Sequence, residues 1–464
     1  MLDDMFDYLE HLRQRPAWQP APPEVHARFA EALPREPKGL DAVHEEFMQF
    51  ILPYAVGNAH PGFMGWVHGG GTPVGMLAEM IAGGLNANLG GRNQVPLDVE
   101  KQILRWTREL FGFPDTASGL FVTGTSMANL VALIVARTAA LGVAVRRNGV
   151  SAGGKRLTAY ASAATHSCIA RAIDIAGIGV DALRQIPVNG RHEVDIAALR
   201  NAVAADRQAG CTPFFIVGNA GTVDIGAIDD LAGLAAYAAS EKIWFHVDGA
   251  FGALAALAPS LAPRLRGIER ADSIGFDFHK WAQVPYDAGF VMVRDGALHQ
   301  ATFAVEPNYL RRDVRGMAAR SPWPCDFGPD VSRGFRALKT WFTLKTYGAD
   351  ALARTIVRTC GLAQEMARRI EAEPALELLA PVALNIVCFR YRSPDADRVN
   401  AEILIRVQES GVAAPSSTSV DGRFAIRAAL FNHRTTMQDV DALLDAVIRI
   451  GREVAAGPAG MAPA

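Results

Sequence analysis

Lysine is scarce in this 464-residue chain: only seven stand among the 46 lysines and arginines. A lysine in an apolar setting is therefore not a casual surface choice. Cysteine is scarce too. The five cysteines (Cys168, Cys211, Cys325, Cys360 and Cys388) are scattered, with no CxxC and no short His/Cys cluster. That pattern argues against a disulfide framework or a zinc site, and for buried, reduced thiols. A net charge of -2 gives no electrostatic case for nucleic acid or an anionic membrane. No uninterrupted apolar run is long enough to span a bilayer. The first residues, MLDDMFDYLEHLRQRP, are acidic and amphipathic, unlike a secretory signal. These absences predict a cytoplasmic protein with no metal, no membrane and no nucleic-acid partner. With 50% hydrophobic and 20% charged residues, the chain can bury one large core and smaller ones.

Residues 1–72 read as a helical arm. Asp3 to Leu12 and Leu40 to Leu52 have helical periodicity, and Pro-rich linkers separate them. Such an arm has little core of its own and is expected to pack on another subunit. Residues 73–340 read as a large α/β domain. From Gly119 onward, short apolar runs (GLFVTG, LTAYAS, FFIVGN, IWFHVD, SIGF, GFVMV) alternate with helical segments. That alternation predicts a mainly parallel sheet with helices on both faces and a ligand site at the strand carboxyl ends. Residues 341–464 read as a small α+β domain, with strands in ALNIVCFRYR and GRFAIRAAL. Between 297 and 329 lies a long, weakly periodic connection of the kind that is usually functional or disordered.

The stretch HVDGAFGALAALAPSLAPRLRGIERADSIGFDFHKW, His246 to Trp281, places Asp248 at the end of one apolar run and Lys280 at the end of another. A carboxylate and an amine on neighbouring strand ends are what pyridoxal phosphate needs. The amine forms a Schiff base with the cofactor aldehyde, and the carboxylate keeps the pyridine nitrogen protonated so that the ring accepts electrons. An isolated lysine would read as a snorkelling strand end, and an isolated aspartate as a turn or cap. Gly124-Thr125-Ser126, between a strand and a helix, is alone an N-cap; beside that pair it reads as a phosphate seat. Asp277 and His279 precede the lysine and are placed to reach the phosphate. His166, after a strand, is placed to stack on a ring, and Thr222 is a strand-end hydroxyl. Tyr309, in the long connection, is a candidate proton donor. Gly69, Gly70 and Gly71 read equally as a close approach beside a pocket or as a turn.

The motifs HPGFMGW, GTSMANLVAL, THSCIARA, GNAGTVDIGAIDDL, IWFHVDGAFG, ADSIGFDFHKW, EPNYL and GFRALKTWF, in that order, resemble the group II pyridoxal-phosphate-dependent decarboxylases of aromatic amino acids, glutamate and histidine. The resemblance runs from about His60 into the C-terminal domain and includes the thirty-two-residue interval from Asp248 to Lys280. It implies the aspartate aminotransferase-like fold (fold type I) and a homodimer with shared active sites, in which the arm wraps the partner and a loop closes over the neighbouring site. It further implies Lys280 as the Schiff-base lysine, Asp248 on the pyridine nitrogen and His166 over the ring. Thr222 and Ala250 would contact the ring, and Thr125, Ser126, Asp277 and His279 would surround the phosphate. Relatives with phenylalanine at the loop tyrosine tend to be aldehyde synthases, so Tyr309 favours simple decarboxylation of an L-amino acid to amine and CO2. Oxidative decarboxylation to an aldehyde, and lyase or transaminase chemistry on the same fold, are the alternatives; against a PLP-binding regulatory or scaffolding protein without turnover stand Lys280, Asp248, His166 and Tyr309, all intact. This chain departs from the aromatic decarboxylases at Trp66-Val67-His68-Gly69-Gly70, at GGRNQVP and at Asp277, where asparagine is more usual. Trp66, His68, Gly69 and Asn93 are thereby the substrate-pocket candidates, with an aromatic substrate expected.

Overall fold

The computed structural model describes residues 1–305, 308 and 311–456. The chain forms two compact units, Gly71–Val357 and a second that joins Met1–Gly70 to Arg358–Ala464. The sequence-based division at 72 and 340 cuts the chain differently, because the N-terminal stretch shares its unit with the C-terminal one. Short-range contacts explain this. Strand β1 (Phe63–Met64) lies parallel to β11 (Ala414–Val420), pairing Phe63 with Ala414. The Asn432 amide nitrogen sits 3.0 Å from the carbonyl oxygens of Asn58, Ala59 and His60. With β9 (Leu376–Leu378), β10 (Ile386–Tyr391) and β12 (Arg423–Ala429), these strands form a five-stranded sheet in the order β1-β11-β12-β10-β9. Helices Leu2–Glu10 and Leu40–Glu46 bury no residue, and Phe29, Leu33 and Leu40 stay exposed.

The Gly71–Val357 unit is built on β2 (Ser118–Val122), β3 (Arg156–Ser162), β4 (Leu183–Ile186), β5 (Cys211–Asn219), β6 (Trp244–Asp248), β7 (Ser273–Asp277) and β8 (Gly289–Val293). Their order is β2-β8-β7-β6-β5-β3-β4. The run from β4 to β7 is parallel throughout, while β8 pairs antiparallel with both β7 and β2. Every residue of β7 and β8 is buried, so both faces of the sheet are covered there, which is why those runs read as continuously apolar. Phe121, Phe276 and Phe290 interlock in the core at centroid distances of 5.0 to 5.6 Å. Each such buried ring contributes roughly 1.5–3 kcal/mol.

Helix Pro96–Phe111 starts on a proline with Asp98 in its first turn and ends where Gly112 adopts φ +65°, a left-handed conformation suited to glycine. From its buried face, Glu100 reaches Arg333, with Oε1 2.7 Å from the guanidinium. Glu100 also accepts the Phe121 N–H, while Arg333 donates to the Leu89 and Phe121 carbonyls. The pair ties the long connection to the edge of the sheet. Glu100→Gln leaves a buried guanidinium uncompensated and is expected to cost about 3 kcal/mol or more in chemical denaturation.

Two poorly solvated histidines, His299 and His433, one in each unit, contribute to an acid limit on stability. Burial pushes His299 down to about 4 and His433 down to about 3, so the folded chain holds both neutral at pH 5. The unfolded chain takes up these protons below about pH 6.5. Stability is therefore fully present above that pH and is lost as the pH falls towards the folded value, by about 2 kcal/mol per histidine between pH 7 and 5. Urea titrations at the two pH values should show this, and His299→Gln should flatten the slope by one such increment.

Candidate active site

Period-two alternation along β6 puts Trp244, His246 and Asp248 on one face, with Asp248 last. In the neighbouring strand, Ser273, Gly275 and Asp277 share that face, and the register pairs His246 with Ser273 and Asp248 with Gly275. The chain turns immediately after Asp277, which brings Lys280 back over it. The Lys280 Nζ lies 3.0 Å from the Asp277 carboxylate, with the lysine side chain 19% exposed and the aspartate 2%. His279 approaches the same carboxylate at 3.6 Å. Its Nδ1 accepts the Ala288 N–H at 2.9 Å, and its ring lies 4.2 Å from that of Tyr286.

Asp248 is buried. One carboxylate oxygen accepts the Ala250 N–H at 3.1 Å, and the other accepts the Asn129 amide at 2.9 Å. Burial raises its pKa, and the Lys280 charge and these two donors pull it back. The Cys168 thiol lies 3.9 Å from the same carboxylate, and burial pushes it up to about 12, so it is no nucleophile at neutral pH. His166 stands exposed at the site, with Nδ1 accepting the Cys168 N–H at 3.2 Å. Crowding of its ring nonetheless lowers its pKa by desolvation, against the pull of Asp248.

At the start of helix Thr125–Leu141 the chain passes Gly124 in an extended conformation. A Cβ added to Gly124 would sit 3.7 Å from His279 and 3.8 Å from Asp277 Oδ1, so this turn faces the lysine cluster. Two buried polar atoms here have no protein partner, Thr125 Oγ1 and Asp277 Oδ1. Unsatisfied buried oxygens are costly and mark a place where a bound group completes the bonding. Ser126 is exposed beside them. The donor set therefore fits a phosphorylated cofactor: helix amides and hydroxyls for the phosphate, an amine for the aldehyde and a buried carboxylate for the ring nitrogen.

Among the other sequence candidates, Thr222 is buried and its hydroxyl accepts the Ala227 N–H at 3.0 Å, so it serves a turn. Ala250 links the two strand ends, since its carbonyl accepts the Asp277 N–H. Trp66, His68 and Gly69 belong to the unit containing Met1–Gly70, where His68 stacks between Phe63 and Trp66 at 5.7 and 5.9 Å. Asn93 belongs to the other unit and donates to the Gly316 carbonyl at 3.4 Å. Tyr309 lies outside the described residues. Among those residues, no group of three or more His, Cys, Asp or Glu is placed to hold a metal, and no helix is long and apolar enough to cross a membrane.

Sequence reasoning passed over Asn129, whose signal was an amide within a buried helix face made mostly of alanine, valine and leucine. Scarcity alone did not single out Lys280. Lys339 is more deeply buried, 3% exposed, and is neutralised by Glu79 at 2.5 Å. Partnership with the strand-end carboxylates is what distinguishes Lys280.

A parallel-cored sheet that brings a lysine, a buried aspartate and a helix N-terminus to one edge defines a pyridoxal-phosphate enzyme. Residues 22–392 match the model of the pyridoxal-dependent decarboxylase conserved domain, and the chain belongs to that family. It is similar to an aromatic-L-amino-acid decarboxylase of Bacillus atrophaeus, 30% identical over 98% of this chain and 94% of the relative. It is also similar to a phenylacetaldehyde synthase of Arabidopsis thaliana, 29% identical over 93% of this chain and 90% of the relative. The crystal structure of Oryza sativa TDC with PLP and tryptamine superposes with a TM-score of 0.89 at 26% identity, covering 98% of this chain and 96% of that one. The fold is thus the fold type I arrangement of a carboxy-lyase that uses pyridoxal 5'-phosphate (PLP).

Thr125→Val tests the phosphate seat. No protein hydrogen bond is lost, and a buried unsatisfied hydroxyl is removed, so the melting temperature of the apoprotein should hold or rise. The apparent Kd for PLP in an absorbance titration should increase about tenfold, the weight of one hydrogen bond to a charged group.

Proposed function

We propose that this decarboxylase converts an aromatic L-amino acid to the corresponding amine and CO2, as a cytoplasmic homodimer with shared active sites. The observation that carries the site assignment is the cluster of Lys280, Asp277 and Asp248 beside two unpartnered buried oxygens. The aromatic class is supported by the printed activities of similar proteins, an aromatic-L-amino-acid decarboxylase and a TDC structure with tryptamine.

When bound, PLP supplies an aldehyde for an amine and a ring that accepts an electron pair from a carbon bearing a carboxylate. Thr125, Ser126 and the first helix amides would hold its phosphate, with Asp277 and His279 alongside. Lys280 would anchor it. When the substrate amine replaces it, Lys280 would remain paired with the Asp277 carboxylate beside it. Asp248 would hold a proton on the ring nitrogen. His166 would cover the ring from one side, with Thr222 and Ala250 completing its contacts. Because desolvation lowers the His166 pKa, a neutral imidazole would lie over the ring rather than a second cation. Trp66, His68, Gly69 and Asn93 would select the substrate side chain. Tyr309 would deliver a proton to Cα after CO2 departs, so that the product is an amine.

The test is a screen of the twenty amino acids for CO2 release by the PLP-loaded protein, with ammonia and peroxide measured in parallel. CO2 and amine from aromatic substrates, without ammonia or peroxide, are expected. Stoichiometric ammonia would assign aldehyde synthase chemistry instead. Lys280→Ala should lose both the visible absorbance of lysine-bound PLP and CO2 release, by at least about a thousandfold.

A further inference from the structure

Behind Asp248 lies a line of polar side chains that the decarboxylase reading leaves unused. Asn129, His246 and Ser273 are each 0% exposed. The Asn129 side chain, from helix Thr125–Leu141, spans Asp248 and His246. Its Oδ1 lies 2.8 Å from His246 Nε2, and its amide nitrogen 2.9 Å from Asp248 Oδ2. On the far side of the imidazole, His246 Nδ1 is 2.8 Å from Ser273 Oγ, which is also 2.8 Å from Trp244 Nε1. The Phe215 ring stacks on the imidazole at 5.4 Å.

Chemistry fixes the direction of every proton in this line. An indole N–H only donates, so Ser273 Oγ accepts from Trp244. An ionised Asp248 only accepts, so the Asn129 nitrogen faces it and the Asn129 oxygen faces His246 Nε2. Nε2 therefore carries the ring proton and leaves Nδ1 to accept from Ser273 Oγ. Burial keeps the ring neutral, its pKa driven down to about 3. All four bonds therefore donate towards Asp248. Bonds aligned head to tail in a dry interior polarise one another. Backbone space is reserved for the arrangement. A Cβ on Gly275 would come within 2.7 Å of Asn129 Oδ1.

We infer that Trp244, Ser273, His246 and Asn129 form a one-way donor chain that fixes the Asp248 carboxylate as an acceptor aimed at the cofactor ring nitrogen. Asn129, His246 and Ser273 are positioning residues; none needs to touch cofactor or substrate. The inference rests on the proposed pairing of Asp248 with that nitrogen. Without the chain, a carboxylate sealed from water would tend to keep its own proton and could not hold one on the ring. Loss of Ser273 Oγ frees His246 to carry its proton on Nδ1. Asn129 would then have to present its nitrogen to the imidazole and its oxygen to the carboxylate, a repulsive contact.

The test measures binding. The full-length apoprotein is titrated with PLP and with the 1-deaza analogue, in which C–H replaces the ring nitrogen. Both can attach to Lys280, but only PLP can use Asp248. The wild-type protein should prefer PLP by about tenfold or more, and Asn129→Leu should remove most of that preference. Ser273→Ala, three hydrogen bonds away from the carboxylate, should reduce it by about two- to threefold. Melting temperatures are recorded for each variant. If the wild type shows no preference, the pairing of Asp248 with the ring nitrogen fails. If the wild type prefers PLP and both variants keep the full preference, the donor chain is only packing and the inference fails, whatever happens to the melting temperature. Should Asn129→Leu not fold, Ser273→Ala decides alone.

Discussion

A carboxylate carried out of water at the end of β6 is the constraint on which this site depends. A buried acid drifts towards its neutral form, so the surrounding structure has to supply positive charge and donors from several directions. The Ala250 N–H provides one, the Asn129 amide another, and Lys280 the charge. Each comes from a different part of the chain, and the parallel pairing of β6 with β7 brings them within reach of one another. The sheet is thus less a platform beneath the site than the device that sets its electrostatics.

The same pairing accounts for Asp277. As a strand-end acid it shares a face with Ser273 and Gly275, and the turn that follows folds Lys280 back onto it. The antiparallel return through β8 then brings Ala288 to His279 and Gly289 against the Gly124 turn. Departure from all-parallel order at this edge has a local result: the lysine segment is clamped from both ends instead of leading into a distant crossover helix.

Much of this was legible in the residues. Runs such as IWFHVD and SIGFD stand out because both faces of those strands are covered, and the helices from 126, 196 and 231 stand out by period. Strands β4 and β11 escaped notice for the opposite reason. LRQI and APSSTSV carry too much polarity to resemble buried strands, and neighbouring strands rather than their own apolarity hold them in place. Asp248, Lys280, Thr125, Asp277 and His279 were identified because each ends or follows an apolar run. Asn129 and Ser273 were not, since their roles arise only when a helix and two strands meet, and a linear pattern does not encode which polar atoms will face one another. The division at 72 and 340 differs from the two compact units on similar grounds. The first residues resemble a free arm until the register of two short strands attaches their end to residues near 414.

That last attachment orders events during synthesis. The Gly71–Val357 unit is complete within one continuous stretch, so it can mature as soon as its final helix leaves the ribosome. Phe63 and Met64 emerge earlier but pair with residues 414 and 415, which are translated some 350 positions later. At ordinary elongation rates of about 5–20 residues per second, that is an interval of tens of seconds. During it the leading segment, with its exposed Phe29, Leu33 and Leu40, stays unjoined while residues 71–357 are made. The cofactor-facing half can thus be assembled before residues 63 and 64 are joined to residues 414 and 415.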